Sequence, residues 1–167
     1  MLNIFYKIIT VILLALMSII LPVNMGLTHD FIKGTVEINN PIISKPFTGA
    51  KSAAGYFTIK NHGDVKIILK GISMTLAKAM LHQTTTDDDG IVKMKHMMKA
   101  DIPANGDLIL KPGSFHIMMV GINRPLLLGE EIPATLLFDN NLEIEIVFKV
   151  TEAPTLSGSN KTEKHTH

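Results

Sequence analysis

At 167 residues, with 16 lysines and arginines against 15 aspartates and glutamates, the chain has room for one ordinary domain and lacks the basic excess that a nucleic-acid partner selects. It contains no cysteine, which excludes disulfides, thiolate nucleophiles and Cys-x-x-Cys redox chemistry. No Ser-His-Asp spacing and no phosphate-cradling glycine loop stands out, so the sequence points away from an enzyme.

Residues 1–28 have the layout of a secretory signal: Lys7, a largely apolar run from Ile8 to Leu21 interrupted by Thr10 and Ser18, then the helix-breaking Pro22. The run is shorter than the roughly 17–25 residues a bilayer span needs. Asn24-Met25-Gly26 is the best cleavage offer, and without a clean small-x-small pattern there an uncleaved anchor is the alternative. Removing the segment takes Lys7 and no acidic residue, so 16 less one leaves 15 basic against 15 acidic.

From residue 29 to 150, stretches of alternating polarity separated by turn residues predict an all-β domain of about eight or nine strands, a Greek-key β-sandwich. Ala54 to Lys60 puts Phe57 and Ile59 on one face and Tyr56, Thr58 and Lys60 on the other, then runs into the turn Asn61-His62-Gly63-Asp64. His62 is expected to be structural. In Met80-Leu81-His82, Leu81 faces inward and Met80 and His82 face the other way, either one a potential ligand. Asp87-Asp88-Asp89-Gly90, Ala104-Asn105-Gly106-Asp107, Lys111-Pro112-Gly113 and Asp139-Asn140-Asn141 predict further turns. Between the first two, Val92 to Met98 groups Met94, His96 and Met98 by parity. In Ser114 to Gly121, Phe115, Ile117 and Met119 make the better core face, so His116 and Met118 project together from the opposite one. Leu142 to Val150 alternates apolar even positions with charged odd ones, Val147 aside. Residues 151–167 lack apolar content and read as a flexible, histidine-containing tail.

The seven methionines beyond the signal, Met74, Met80, Met94, Met97, Met98, Met118 and Met119, fall within 46 residues, with His82, His96 and His116 among them. Thioether and imidazole are the softer ligands left when thiolate is absent, and together they favour copper, particularly Cu(I), over oxygen-seeking ions. Methionine is also an ordinary core filler. A secreted structural or adhesive β-sandwich with no metal role is therefore the competing reading.

His82, eleven residues, Met94, twenty-one residues, His116, one residue, Met118 closely resembles the signature of the periplasmic PCu(A)C copper chaperones, which has ten residues in the first gap. The extra residue falls in the Asp87-Asp88-Asp89-Gly90 turn, which can absorb it; Met97 and His96 are the alternatives to Met94. The likeness spans about residues 35 to 150, including Ala53 to Asn61, Leu110 to Met118, Arg124-Pro125-Leu126 and Gly129-Glu130. The resemblance implies a cupredoxin-like β-sandwich holding Cu(I) through His82, Met94, His116 and Met118 near an exposed edge. It also implies delivery in the periplasm to the binuclear copper centre of a cytochrome oxidase, through an oxidase subunit or its assembly factor. Blue-copper electron transfer is disfavoured, because that centre requires a cysteine. A monomer is expected, with His29, His165 and His167 as candidates for a second ion, Cu(II).

Overall fold

The computed structural model describes residues 30–153. The expected signal segment, His29 and the tail histidines His165 and His167 lie outside the described residues. Within them the chain forms eleven strands and no helix: β1 (Phe31–Lys33), β2 (Val36–Ser44), β3 (Ser52–Asn61), β4 (Ile67–Ser73), β5 (Lys78–Thr86), β6 (Val92–His96), β7 (Ala100–Ile102), β8 (Gly106–Leu110), β9 (Phe115–Val120), β10 (Glu131–Phe138) and β11 (Glu143–Thr151). The count exceeds the expected eight or nine because β1 and β7 are three residues each, too short to carry a readable period.

Alternation builds the long strands. In β11 the even residues Ile144, Ile146, Phe148 and Val150 are buried, and in β3 Phe57 and Ile59 are, as their patterns require. Burying a side chain of this size contributes about 1.5–3 kcal/mol. The β2 strand breaks its own parity. Val36 and Ile38 are buried, then Ile43, because Asn40 takes φ 50° and the pairing with β3 slips between Asn39 and Ile42. Such a bulge bends the strand and turns the following side chains over. Ahead of it β2 pairs with β1, and beyond it with β11 in parallel.

The β3 strand is divided similarly. Its first residues, Ser52–Gly55, pair with β9, and its later ones, Phe57–Asn61, with β8. Two long strands with changing neighbours let one hydrogen-bonded sheet curl over a single core. Phe57 of β3 meets Phe148 of β11 edge-on across that core, ring centroids 5.8 Å apart. The turn after β3 is fixed by buried Asn61, whose side chain donates to the carbonyls of Val65 and Pro103 and accepts from the Gly63 N–H. At one end of the sheet β6 is the edge strand, followed by β5 and then β9. Those strands carry the histidines and methionines singled out in the sequence.

Candidate metal centre

Burial divides β9 and β5 by parity. Ile117 and Met119 are 0 % exposed and Leu81 is 2 % exposed, all inside the core. His116 and Met118 on β9, and Met80 and His82 on β5, therefore share the opposite face. The β6 strand extends past the core and every residue in it is exposed, so burial does not distinguish its two faces. Pairing does: His82 stands directly across from His96, and Thr84 across from Met94. On the other side of β5, His82 stands across from His116 and Met80 from Met118.

His82 is thus the centre of the arrangement. Its ring centroid lies 5.8 Å from that of His116 and 5.5 Å from that of His96. Met118 and Met94 are its diagonal neighbours on the two flanking strands, at the roughly 7–8 Å Cα spacing that long side chains bridge. All four residues of the expected set, His82, Met94, His116 and Met118, therefore surround one position on one face, as hub, direct partner and two diagonals. Met80 adds a thioether directly opposite Met118.

The imidazoles are prepared for a ligand role. His116 is 5 % exposed, and its Nδ1 lies 3.1 Å from the Ser114 carbonyl oxygen. A carbonyl only accepts, so Nδ1 carries a proton, and in the neutral ring the lone pair is left on Nε2. Burial, then the neighbouring His116 and His96, holds the His82 imidazole below the usual histidine range, which keeps it neutral near pH 7. Its Nδ1 is buried without a hydrogen-bond partner, an omission that costs about 1–3 kcal/mol and that an ion could remove.

The three pairing strands contain no aspartate or glutamate over Met80–Thr84, Val92–His96 and Phe115–Val120. Nor, among the described residues, do three histidine or carboxylate side chains converge on one point. His96 and His116 flank His82 from opposite sides, two strand spacings or about 9.5 Å apart, so any third or fourth donor must be a thioether. Two imidazoles with thioethers and no carboxylate fit a soft, low-charge ion and offer nothing to Mg²⁺ or Ca²⁺.

The remaining methionines separate. Met119 is core, and Met74 and Met97 pack against it. Met97 also donates its backbone N–H to the Leu81 carbonyl at 2.8 Å, whereas His96, the other alternative to Met94, is exposed and stands directly across from His82. Met98 is 78 % exposed beyond the end of β6. In the β5–β6 turn Gly90 takes φ +78°. Asp87 closes it, accepting from the Ile91 N–H at 2.9 Å and pairing with Lys93 at 2.8 Å. His62 lies at the end of β3, paired with Glu37 at 2.6 Å, consistent with a structural role.

The family described as "Putative lipoprotein LpqE-like" matches residues 36–150. A putative lipoprotein, Lxx21020 of Leifsonia xyli subsp. xyli, is 30% identical over 117 residues, covering 70% of this chain and 69% of that protein. The uncharacterized protein RP573 of Rickettsia prowazekii is 32% identical over 103 residues, 59% of this chain and 55% of the relative. Among solved structures, the copper-bound PCuAC domain from PmoF2 has a TM-score of 0.63 at 22% identity, over 75% of this chain and 99% of that one. The solution structure of CuI-DR1885 from Deinococcus radiodurans has a TM-score of 0.56 at 31% identity, over 68% and 76%. These likenesses bear out the all-β, cupredoxin-like fold expected from the sequence.

Proposed function

Because the chain belongs to the LpqE-like family and shares the fold of the PCuAC domains, we propose that it is a copper metallochaperone, carrying Cu(I) on His82, Met94, His116 and Met118. One observation carries this reading: His82 stands directly across from His116 and diagonal to both Met118 and Met94. Four soft donors from three strands thereby share a face free of carboxylates. With no anionic ligand, the site favours a monovalent ion over a divalent one. Thioethers need no deprotonation and cannot be lost to disulfides, so the site suits an oxidising compartment.

Export is supported by the layout of residues 1–28 and by the lipoprotein names of family and relative; we place the domain in the periplasm. These 167 residues contain no cysteine, so a sulfur-linked lipid has no attachment point among them. The acceptor is a copper protein, and the binuclear centre of a cytochrome oxidase, reached through a subunit or assembly factor, is the proposed destination. The chain acts as a non-catalytic monomer. A second ion, Cu(II), on His165 and His167 completes the reading and is tested by removing residues 154–167.

The deciding experiment is anaerobic titration of the purified protein with Cu(I) against bicinchoninate as competing chelator. One ion bound tightly, with affinity falling sharply in the His116→Ala/Met118→Ala double variant, is the expected result. No tight uptake, or an unchanged affinity in the double variant, overturns the proposal.

A further inference from the structure

The copper reading uses one imidazole on each of β5 and β9 and leaves a third unused. His96 is directly across from His82, with ring centroids 5.5 Å apart, while His116 lies 5.8 Å away on the other side. The two flanking histidines differ in access. His116 is 5 % exposed, on a strand hydrogen-bonded to neighbours on both sides. His96 is exposed and lies on the edge strand, two residues from Met94, which is 56 % exposed.

We infer that His96 is the exit ligand of the site: together with His82 and Met94 it forms a second, outward donor set onto which Cu(I) moves before a partner takes it. The inference rests on the copper reading above and deepens it. His82 and Met94 remain bound throughout, so the transfer exchanges His116 and Met118 for His96 and leaves the ion coordinated. No bond to hydrogen and no electron changes hands; one dative bond from imidazole forms as others release. His116 on β9 is 5 % exposed, so a partner adds its own donors at the open edge of β6.

The direction of the kinetic effect tests this. A ligand that holds the ion, when lost, speeds release into excess bicinchoninate; a ligand that lets the ion out, when lost, slows it. His96→Ala and, as a second variant, His96→Gln are expected to slow Cu(I) release by about tenfold, a release barrier about 1.4 kcal/mol higher. His116→Ala is expected to speed it. Both His96 changes fall on an exposed edge, and circular dichroism of the apo proteins checks that they fold. In an anaerobic NMR titration with Cu(I), the ring signals of His96 should move in step with those of His82 and His116 and saturate at one equivalent. Release that is unchanged or faster in both His96 variants, or a His96 ring that shifts only after the first equivalent, overturns the inference while leaving the copper reading intact. A wild-type protein that takes up no Cu(I) refutes the copper reading itself.

Discussion

Met118 and Met119 are adjacent on β9 and differ by one step of strand parity, so alanine at each should do opposite things. Met119 is fully buried. Its terminal methyl lies over Gly55, 2.8 Å from where a Cβ on that glycine would stand. A bare glycine offers no side chain to relax into the space that truncation leaves, so Met119→Ala should cost about 3–4 kcal/mol, within the usual range for a buried methionine. For a domain of this size that corresponds to roughly a 10–15 °C loss in Tm. Met118 is half-buried on the opposite face, that of the proposed donors, and Met118→Ala should cost about 1 kcal/mol or less. Copper affinity should respond the other way, falling at least about tenfold for Met118→Ala and little for Met119→Ala once that protein is folded. Urea unfolding of the apo proteins measures the first effect, and anaerobic Cu(I) competition with bicinchoninate at low temperature measures the second. The parity argument is refuted if Met119→Ala destabilises no more than Met118→Ala, or if Met119→Ala alone abolishes copper uptake.

Gly55→Ala by itself should destabilise, since its Cβ would stand 2.8 Å from the Met119 methyl and 3.2 Å from Phe148; in the Met119→Ala background it should cost at least about 0.5 kcal/mol less. A double-mutant cycle in urea that shows simple additivity would contradict this packing. Asp87→Ala removes the acceptor for the Ile91 N–H and the partner of Lys93, so β6 amides should exchange faster by a local free energy of about 1 kcal/mol. Hydrogen exchange identical to wild type across residues 91–96 would show that another contact closes the hairpin. Glu37 is held below the ordinary carboxylate range by its hydrogen bond from Asn39, then by His62 and Lys60. Its contribution to stability is therefore fully present above the ordinary value of about 4.3 and is lost as the pH falls through the lowered folded value. Glu37→Gln should flatten the fall in urea midpoint across that acid window, and an unchanged slope would count against the interaction.

The sequence was most readable where a strand has one wet face and one buried face. In β3 and β11 parity alone separates Phe57 from Tyr56 and Ile146 from Glu145; in β9 it separates Met119 from Met118 but not Ile117 from the buried His116. It was least readable in β2, where the left-handed Asn40 inserts a bulge and residues on either side obey opposite parities. The β6 strand gave a different difficulty. Exposed on both faces, it has no burial alternation to read, and its parity could group Met94 with His96 without saying which of them faces His82. That depends on register, set by the length of the Asp87–Gly90 turn and by Asp87 closing it. The direct opposition of Met80 and Met118 was invisible for the same reason: each strand's faces can be read alone, but the offset between two strands cannot.

That offset also bears on why such a site sits on a sheet. Three of the four proposed donors have a core residue beside them: Leu81 next to His82, Ile117 between His116 and Met118, and Met119 next to Met118. Packing on the inner face therefore fixes His82, His116 and Met118 before any ion arrives, while Met94, on the exposed β6, is held by strand pairing alone. In small metal-folded domains the binding free energy is largely folding free energy, and removing the metal unfolds the chain. A carrier built that way would lose its structure at each delivery. Here none of the proposed donors belongs to the hydrophobic core, so affinity is expected to be set by the donors, and release to a partner to overcome only metal–ligand bonds. The apo protein should accordingly unfold cooperatively with a Tm well above ambient temperature. Cu(I) should then raise that Tm only by the mass-action term, about 2.7 kcal/mol at a free ion concentration a hundred times Kd. An apo protein that is unfolded, and folds only on adding Cu(I), would reverse this account of how the sheet and the site are related.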